Sequence, residues 1–174
     1  MLDSLNHAQV VCFTTNYSFR GVVWTGKRRL SDALNDRLTE YAELADVQVY
    51  KTHDPSTLVH KAKELYIRKA SLILLAILSE VIQTPTNRIY GYVPKQRHAA
   101  VLFLPAYEVR GTLHLTAKYQ VHGPLAGEGE SFIPLTRASV VATFNPRVRV
   151  EAQTILVHQN LIEAFYISEE AMAQ

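Results

Sequence analysis

The sequence predicts an all-β chain: one small β module written twice, with a short helix in the first copy. Three observations predict it. Short β-branched and aromatic runs recur along the chain between polar turn residues, as strands do. Tyr17-Ser-Phe-Arg-Gly in the first half returns as Tyr107-Glu-Val-Arg-Gly, each residue 90 positions on. One stretch only, Arg28 to Asn35, carries leucines at helical spacing beside a capping residue.

Taken in order, residues 1–9 form a polar lead-in, and Val10-Val-Cys-Phe-Thr-Thr is the first strand-like run. Asn16 gives a turn signal before Ser18-Phe-Arg-Gly-Val-Val-Trp-Thr, so the two runs form a hairpin. Gly21 inside the second run marks a bulge or bend, as a curled sheet needs. The basic loop Gly26-Lys-Arg-Arg follows. Ser31 then stands where an N-cap belongs, Asp32 in the first turn, and Leu30, Leu34 and Leu38 share one face of a short helix. The later half of Tyr41 to Tyr50 alternates and reads as a strand, and Thr52-His-Asp-Pro-Ser-Thr is turn chemistry.

Residues 58–78 fit either a helix or two strands, Glu64 to Arg68 and Ser71 to Ile77, around a Lys69-Ala70 corner. Periodicity does not separate these for so short an apolar run. The matching stretch of the second half, Thr154 to Ile167, is strand-rich around His158-Gln-Asn, and it decides for strands in both places.

The repeat extends beyond Tyr-x-x-Arg-Gly. Val11, Phe13, Arg20 and Gly21 face Val101, Phe103, Arg110 and Gly111 at an offset of 90, and Tyr41, Leu44 and Val49 face Phe132, Leu135 and Val140 at 91. The copies are unequal. In place of the helix the second has Val121-His-Gly-Pro-Leu-Ala-Gly-Glu-Gly-Glu, whose proline and glycines oppose a helix. The expected domains are a first small β-barrel at 1–80, a linker at 81–97 and a second small β-barrel at 98–174.

Composition narrows the classes. Apolar residues make up 48% of the 174, charged residues 20%, and net charge is +2, which describes a globular chain rather than a disordered one. So small a charge is less than a dedicated nucleic-acid binder carries. A single cysteine, Cys12, rules out a disulfide framework and a thiolate metal cluster. The opening residues lack a basic, then apolar, leader, and the longest apolar run, Leu72 to Leu78, is far short of the roughly 20 residues a spanning helix needs. A soluble, cytoplasmic protein is the expectation. No HExxH motif, phosphate-cradling glycine loop or Gly-x-Ser-x-Gly is present, so no enzyme, cofactor or metal is expected. His53, Asp54 and His60 form the only local histidine cluster and suit a surface loop as well as a metal.

The order of strand, Arg-Gly strand, short turn ending in Asn, strand, and strand pair with a basic corner resembles an Sm-like (LSm/SH3-like) small β-barrel, in tandem. Phe19-Arg-Gly-Val-Val, Asp32-Ala-Leu-Asn35 and Ile67-Arg-Lys-Ala-Ser-Leu-Ile carry the likeness. Lys69 departs from it, standing where the family has Gly, and the turn before Asn35 is longer than the family's. The Arg-Leu-Ser-Asp-x-Leu-Asn pattern also resembles bacterial sequences of uncharacterised function. The resemblance implies assembly through exposed edge strands and single-stranded RNA binding. Carried over, the RNA candidates are Asp32, Asn35 and Arg68, with His158 and Gln159 at the matching corner, and with Lys27, Arg28, Arg29 and Lys69 supplying charge.

Each of these features also has a plainer explanation. Arg20 and Arg110 suit surface arginines lying over Tyr17 and Tyr107, Gly21 and Gly111 suit sheet geometry, and Asn35 suits a left-handed helix cap. The expected function is therefore a non-catalytic protein-interaction or assembly module, with a protein partner or self-association through edge strands. Single-stranded RNA binding is the alternative.

Overall fold

The computed structural model describes residues 5–83, 95–116 and 130–168. The chain divides into two compact units, Met1–Thr86 and Asn87–Gln174. The first contains β1 (Asn6–Phe13), β2 (Tyr17–Gly26), helix α1 (Leu30–Leu34), β3 (Tyr41–Lys51), β4 (Asp54–Arg68) and β5 (Leu74–Val81). Its ladders are all antiparallel and run in the order β5-β1-β2-β3-β4. The second contains β6 (Lys95–Leu104), β7 (Tyr107–Thr116), β8 (Phe132–Ala142), β9 (Asn145–His158) and β10 (Ala164–Ser168). Its order, β10-β6-β7-β8-β9, repeats that of the first. Among the described residues the chain is all-β, apart from one helix and two single 3₁₀ turns. Among the described residues no helix is long and apolar enough to cross a membrane.

The correspondence reaches individual hydrogen bonds. Thr52 N–H donates to the Asn16 carbonyl and Thr143 N–H to that of Ala106; Lys69 N–H donates to Glu40 and Gln159 N–H to Ser131; Ile73 N–H donates to Phe13 and Glu163 N–H to Phe103. The 3₁₀ turns, Lys69–Ser71 and Gln159–Leu161, occupy the same place.

Both sheets also bend at the same place. The β2–β3 ladder shifts between Arg20 and Val22, beside Asp46 at φ 50°. The β7–β8 ladder shifts between Arg110 and Thr112, beside Arg137 at φ 49°. Glycine is required there for close approach: a Cβ on Gly21 would lie 2.9 Å from the Ala45 carbonyl oxygen, and one on Gly111 would lie 2.9 Å from Ala138 Cβ. The bends wrap each sheet around its own core. In the first unit Val10, Cys12, Leu44 and Leu72 to Leu75 are buried; in the second, Leu102, Tyr107, Phe132, Leu135 and Ile155 to Val157 are.

The expected barrels are not closed by hydrogen bonds. Among the described residues no ladder joins β4 to β5 or β9 to β10, so each unit is an open five-stranded sheet. The 3₁₀ turn explains this: it carries the chain away from β4, and β5 finds its ladder on β1, from His7↔Val81 to Phe13↔Leu74.

Residues 58–78 are strands, β4 and β5, around the Lys69 corner. Other local expectations change. Ser31 is not the N-cap: the helix starts at Leu30, its N-cap Arg29 makes no side-chain cap, and the Leu30 N–H instead donates to Glu80 Oε1 of β5 at 3.0 Å. Leu38 is not on the helix face. It follows the helix and is 93% exposed, while Leu30 and Leu34 are buried. Asn35 is a right-handed C-cap at φ −81°, not a left-handed one. The turn after β3 is only Thr52-His53, because Asp54 already pairs with Lys51. β6 begins at Lys95, inside the stretch read as linker. The rest of that linker, 84–94, and most of the loop replacing the helix in the second copy lie outside the described residues.

Candidate functional site

The stretch that occurs only once, Arg28 to Asn35, packs against the corner after β4. Gly26 opens it with a left-handed φ of 66° and space around its α-carbon, so β2 can turn sharply. The Arg28 carbonyl is then held by Thr25 Oγ1 at 2.8 Å and by Asn6 Nδ2 at 3.1 Å. Asn6 is fully buried, and its Oδ1 accepts the Gln83 N–H at 2.8 Å. The five-residue helix is too short to hold alone, so its buried leucines and the Glu80 carboxylate stabilise it.

Beyond the helix the loop is pinned by cations. Arg28 Nη1 meets Asp36 Oδ2 at 2.7 Å. This bond, first of all, holds the Asp36 carboxyl below its ordinary range, helped by the Leu38 N–H. Lys69 Nζ donates to the carbonyls of Ala33 at 3.1 Å and Asp36 at 2.9 Å, and to Thr39 Oγ1 at 2.8 Å. All three ammonium donors thus have acceptors. Partial burial pulls the Lys69 pKa down, opposed by the nearby Asp36.

Arg68 lies on the same corner. Its Nη2 donates to Tyr41 Oη at 2.7 Å, its guanidinium stands 5.1 Å from the Tyr41 ring centre, and Glu40 accepts at 3.5 Å. The structure therefore brings Arg28, Arg68 and Lys69 together with Asp36 and Glu40, on elements that also hold Asp32 and Asn35. It does not leave these cations pointing at an open groove. Lys27 and Asp32 are exposed, Arg29 is half-buried with its Nε buried and without a partner among the described residues, and Asn35 donates its backbone N–H to Ser31.

In the second unit the matching corner is closed. His158 and Gln159 are 8% and 6% exposed, too little to stack a base from solvent. His158 stacks on Phe132 at 4.8 Å, and Gln159 Nε2 is buried with no partner among the described residues.

The arginine–tyrosine contact forms at Arg68 rather than at the repeated arginines. Arg110 instead pairs with Glu108 at 2.7 Å, and Tyr107 is buried against Phe144. Sequence reasoning missed the outer half of β3 and β4. Cross-strand register sets Glu43 opposite Tyr66 and Ala45 opposite Glu64. Glu43, then Glu64, raise the pKa of Tyr66, which is 58% exposed. Nothing in the local sequence marks this cluster, because register alone assembles it.

Among the described residues no nucleophile–base pair accompanies these groups. Cys12 is fully buried, and burial pushes its thiol far above the ordinary range, so it supplies no thiolate. Comparison with family models, curated proteins and solved structures gives no match to this chain.

Proposed function

We propose that the chain is a non-catalytic assembly module built from two tandem Sm-like small barrels, and that it works through its edge strands. One observation carries this reading. β4 runs for 15 residues and, among the described residues, pairs only with β3, so its outer edge presents a long row of backbone groups without a strand partner there. Among the described residues β10 likewise pairs only with β6. His60, Lys61 and Lys63 are exposed along β4, whereas β10 is bracketed in the sequence by Glu163 and by Glu169-Glu170. Lysines on an edge discourage pairing with another basic strand and favour an acidic one. The fitting partner is therefore β10 of a second copy, added head to tail. The shared strand order and the matched turns support the tandem reading.

Light scattering on the purified chain tests this. The expected mass is a multiple of the monomer's, reverting to the monomer's in a Lys61→Glu/Lys63→Glu variant that remains folded. A monodisperse wild-type monomer at high concentration would refute the reading. Single-stranded RNA binding has less support, because Arg28, Arg68 and Lys69 already engage acceptors of the protein itself and three glutamates crowd Tyr41 and Tyr66.

A further inference from the structure

The two units also differ at a matched place on their sheets, and there the second unit has a groove. In the first unit a row crosses β2, β3 and β4 as Ser18–Tyr50–Leu58, with Arg20–Gln48–Lys61 next to it. In the second the same rows read Glu108–Val141–Arg149 and Arg110–Ser139–Glu151. Tyr50 is half-buried, and its hydroxyl donates to Gln48 Oε1 at 3.0 Å, so ring and amide fill the first unit's row. Val141 and Ser139 are smaller. A groove of about 440 Å³ lies over them, with Arg110, Arg149, Glu108 and Thr143 also in its lining. The groove is half open to solvent and more polar than apolar, so it suits a small, weakly held ligand.

Its chemistry is also new relative to the first unit. Val141 and Pro146 supply an apolar surface, and Arg149 stands where the first unit has Leu58. Each guanidinium already has one carboxylate, Arg110 with Glu108 and Arg149 with Glu151, so the groove offers spare N–H donors rather than excess positive charge. Glu108 takes only Nε of Arg110, at 2.7 Å, and Glu151 takes only Nη2 of Arg149, at 2.6 Å. The remaining N–H donors of both forks suit a planar carboxylate, which arginine grips in two-point fashion.

We infer that this groove binds a small aromatic carboxylate. The ring takes the place that the Tyr50 ring has in the first unit, and the carboxylate lies against Arg110 and Arg149. This goes beyond edge-strand assembly and does not depend on it, since every lining residue belongs to β7, β8, β9 or the β8–β9 turn.

The test is a titration of the ¹⁵N-labelled full chain with 4-hydroxybenzoate, followed by amide shifts, with formate and phenol as comparisons. Saturable shifts are expected at Ser139, Val141, Thr143 and Arg149, with a Kd on the order of 1 mM for a ligand of ~10 heavy atoms. Arg149→Leu and Val141→Tyr each install the first unit's own residue, and each should weaken binding about tenfold or more. Either variant decides alone, because its spectrum also reports its folding. The inference is overturned by absence of saturation at about 20 mM, some twenty times that expected Kd, or by shifts centred elsewhere. Unchanged binding in Val141→Tyr would overturn it too, as would formate matching 4-hydroxybenzoate, which would reduce the arginines to a surface ion-pair lattice.

Discussion

Replacing Gly21 with alanine tests the bend on which the first sheet depends, and the sign of the effect is decisive. Gly21 has no left-handed φ. At such a position Gly→Ala ordinarily stabilises by about 0.4–1 kcal/mol, because the unfolded chain loses freedom. Here the new Cβ meets the Ala45 carbonyl oxygen at 2.9 Å and Val47 Cγ2 at 3.3 Å. The valine methyl can rotate away, but the carbonyl belongs to β3 and can yield only if the ladder shifts. Overpacking of this kind costs about 1–3 kcal/mol. The net expectation is destabilisation by about 1–2 kcal/mol, or a fall in Tm of about 2–8 °C for a chain of this size. Urea unfolding followed by fluorescence measures it conveniently, since the only tryptophan, Trp24, lies on the same strand as Gly21. Gly26→Ala is the contrast: nothing lies within 4 Å of its Cβ, but its φ of 66° is strained for alanine, at about 1 kcal/mol. If Gly21→Ala were as stable as the wild type or more so, close approach would not be the reason for the glycine.

Three further outcomes are expected. Lys69→Met removes three hydrogen bonds from the loop after α1; it should lower stability by about 1–2 kcal/mol and speed amide exchange over residues 36–40. His114 has its pKa lowered by burial, then by Arg97 and Lys95, and its Nε2 lies 2.7 Å from Thr136 Oγ1. The folded state thus binds its proton less readily than the unfolded chain, so its contribution to stability should be lost as pH falls below about 6.5; His114→Gln should flatten that part of the pH–stability profile. Gln159→Met removes a buried amide nitrogen that lacks a partner and should be neutral or stabilising by up to about 1 kcal/mol in urea, whereas a loss of that size would mean the amide is satisfied in solution.

What could be read from the sequence was whatever is local or repeated. Spacing placed Gly21 opposite Gly111 and the Lys69 corner opposite Gln159, because each copy needs the same bend and turn. Strand character at Glu64 to Arg68 was visible only through the second copy. Tertiary capping was not legible: Glu80 closes the helix from 50 positions away, so Ser31 looked like the cap. Sheet register was equally hidden. Nothing local says that Tyr66 faces Glu43, or that Val141 lies between Glu108 and Arg149. Hydrogen-bonded closure was expected because the bends are visible in sequence, whereas the strand on which β5 finds its ladder is not.

These observations shift where function should be sought. A stretch present in one copy only invites the inference that it is the site, and Arg28 to Asn35 is such a stretch. Yet its arginine is neutralised by Asp36, its backbone is held by Asn6, Thr25 and Glu80, and the cation nearest it, Lys69, closes its carbonyls. Those bonds make it a brace for the corner. Groups that meet a partner must keep bonding capacity in the free protein: among the described residues the outer edge of β4 keeps its backbone row, and Arg110 and Arg149, although each is paired with one carboxylate, keep their remaining N–H donors over Val141. One presents backbone that no strand of its own unit covers. The other lies where Val141 and Ser139 stand in place of the larger Tyr50 and Gln48, and where Glu108 and Arg149 stand in place of the uncharged Ser18 and Leu58. On the proposed reading, the specificity of this chain is to be sought in the differences between two matched sheets rather than in the Arg28 to Asn35 stretch.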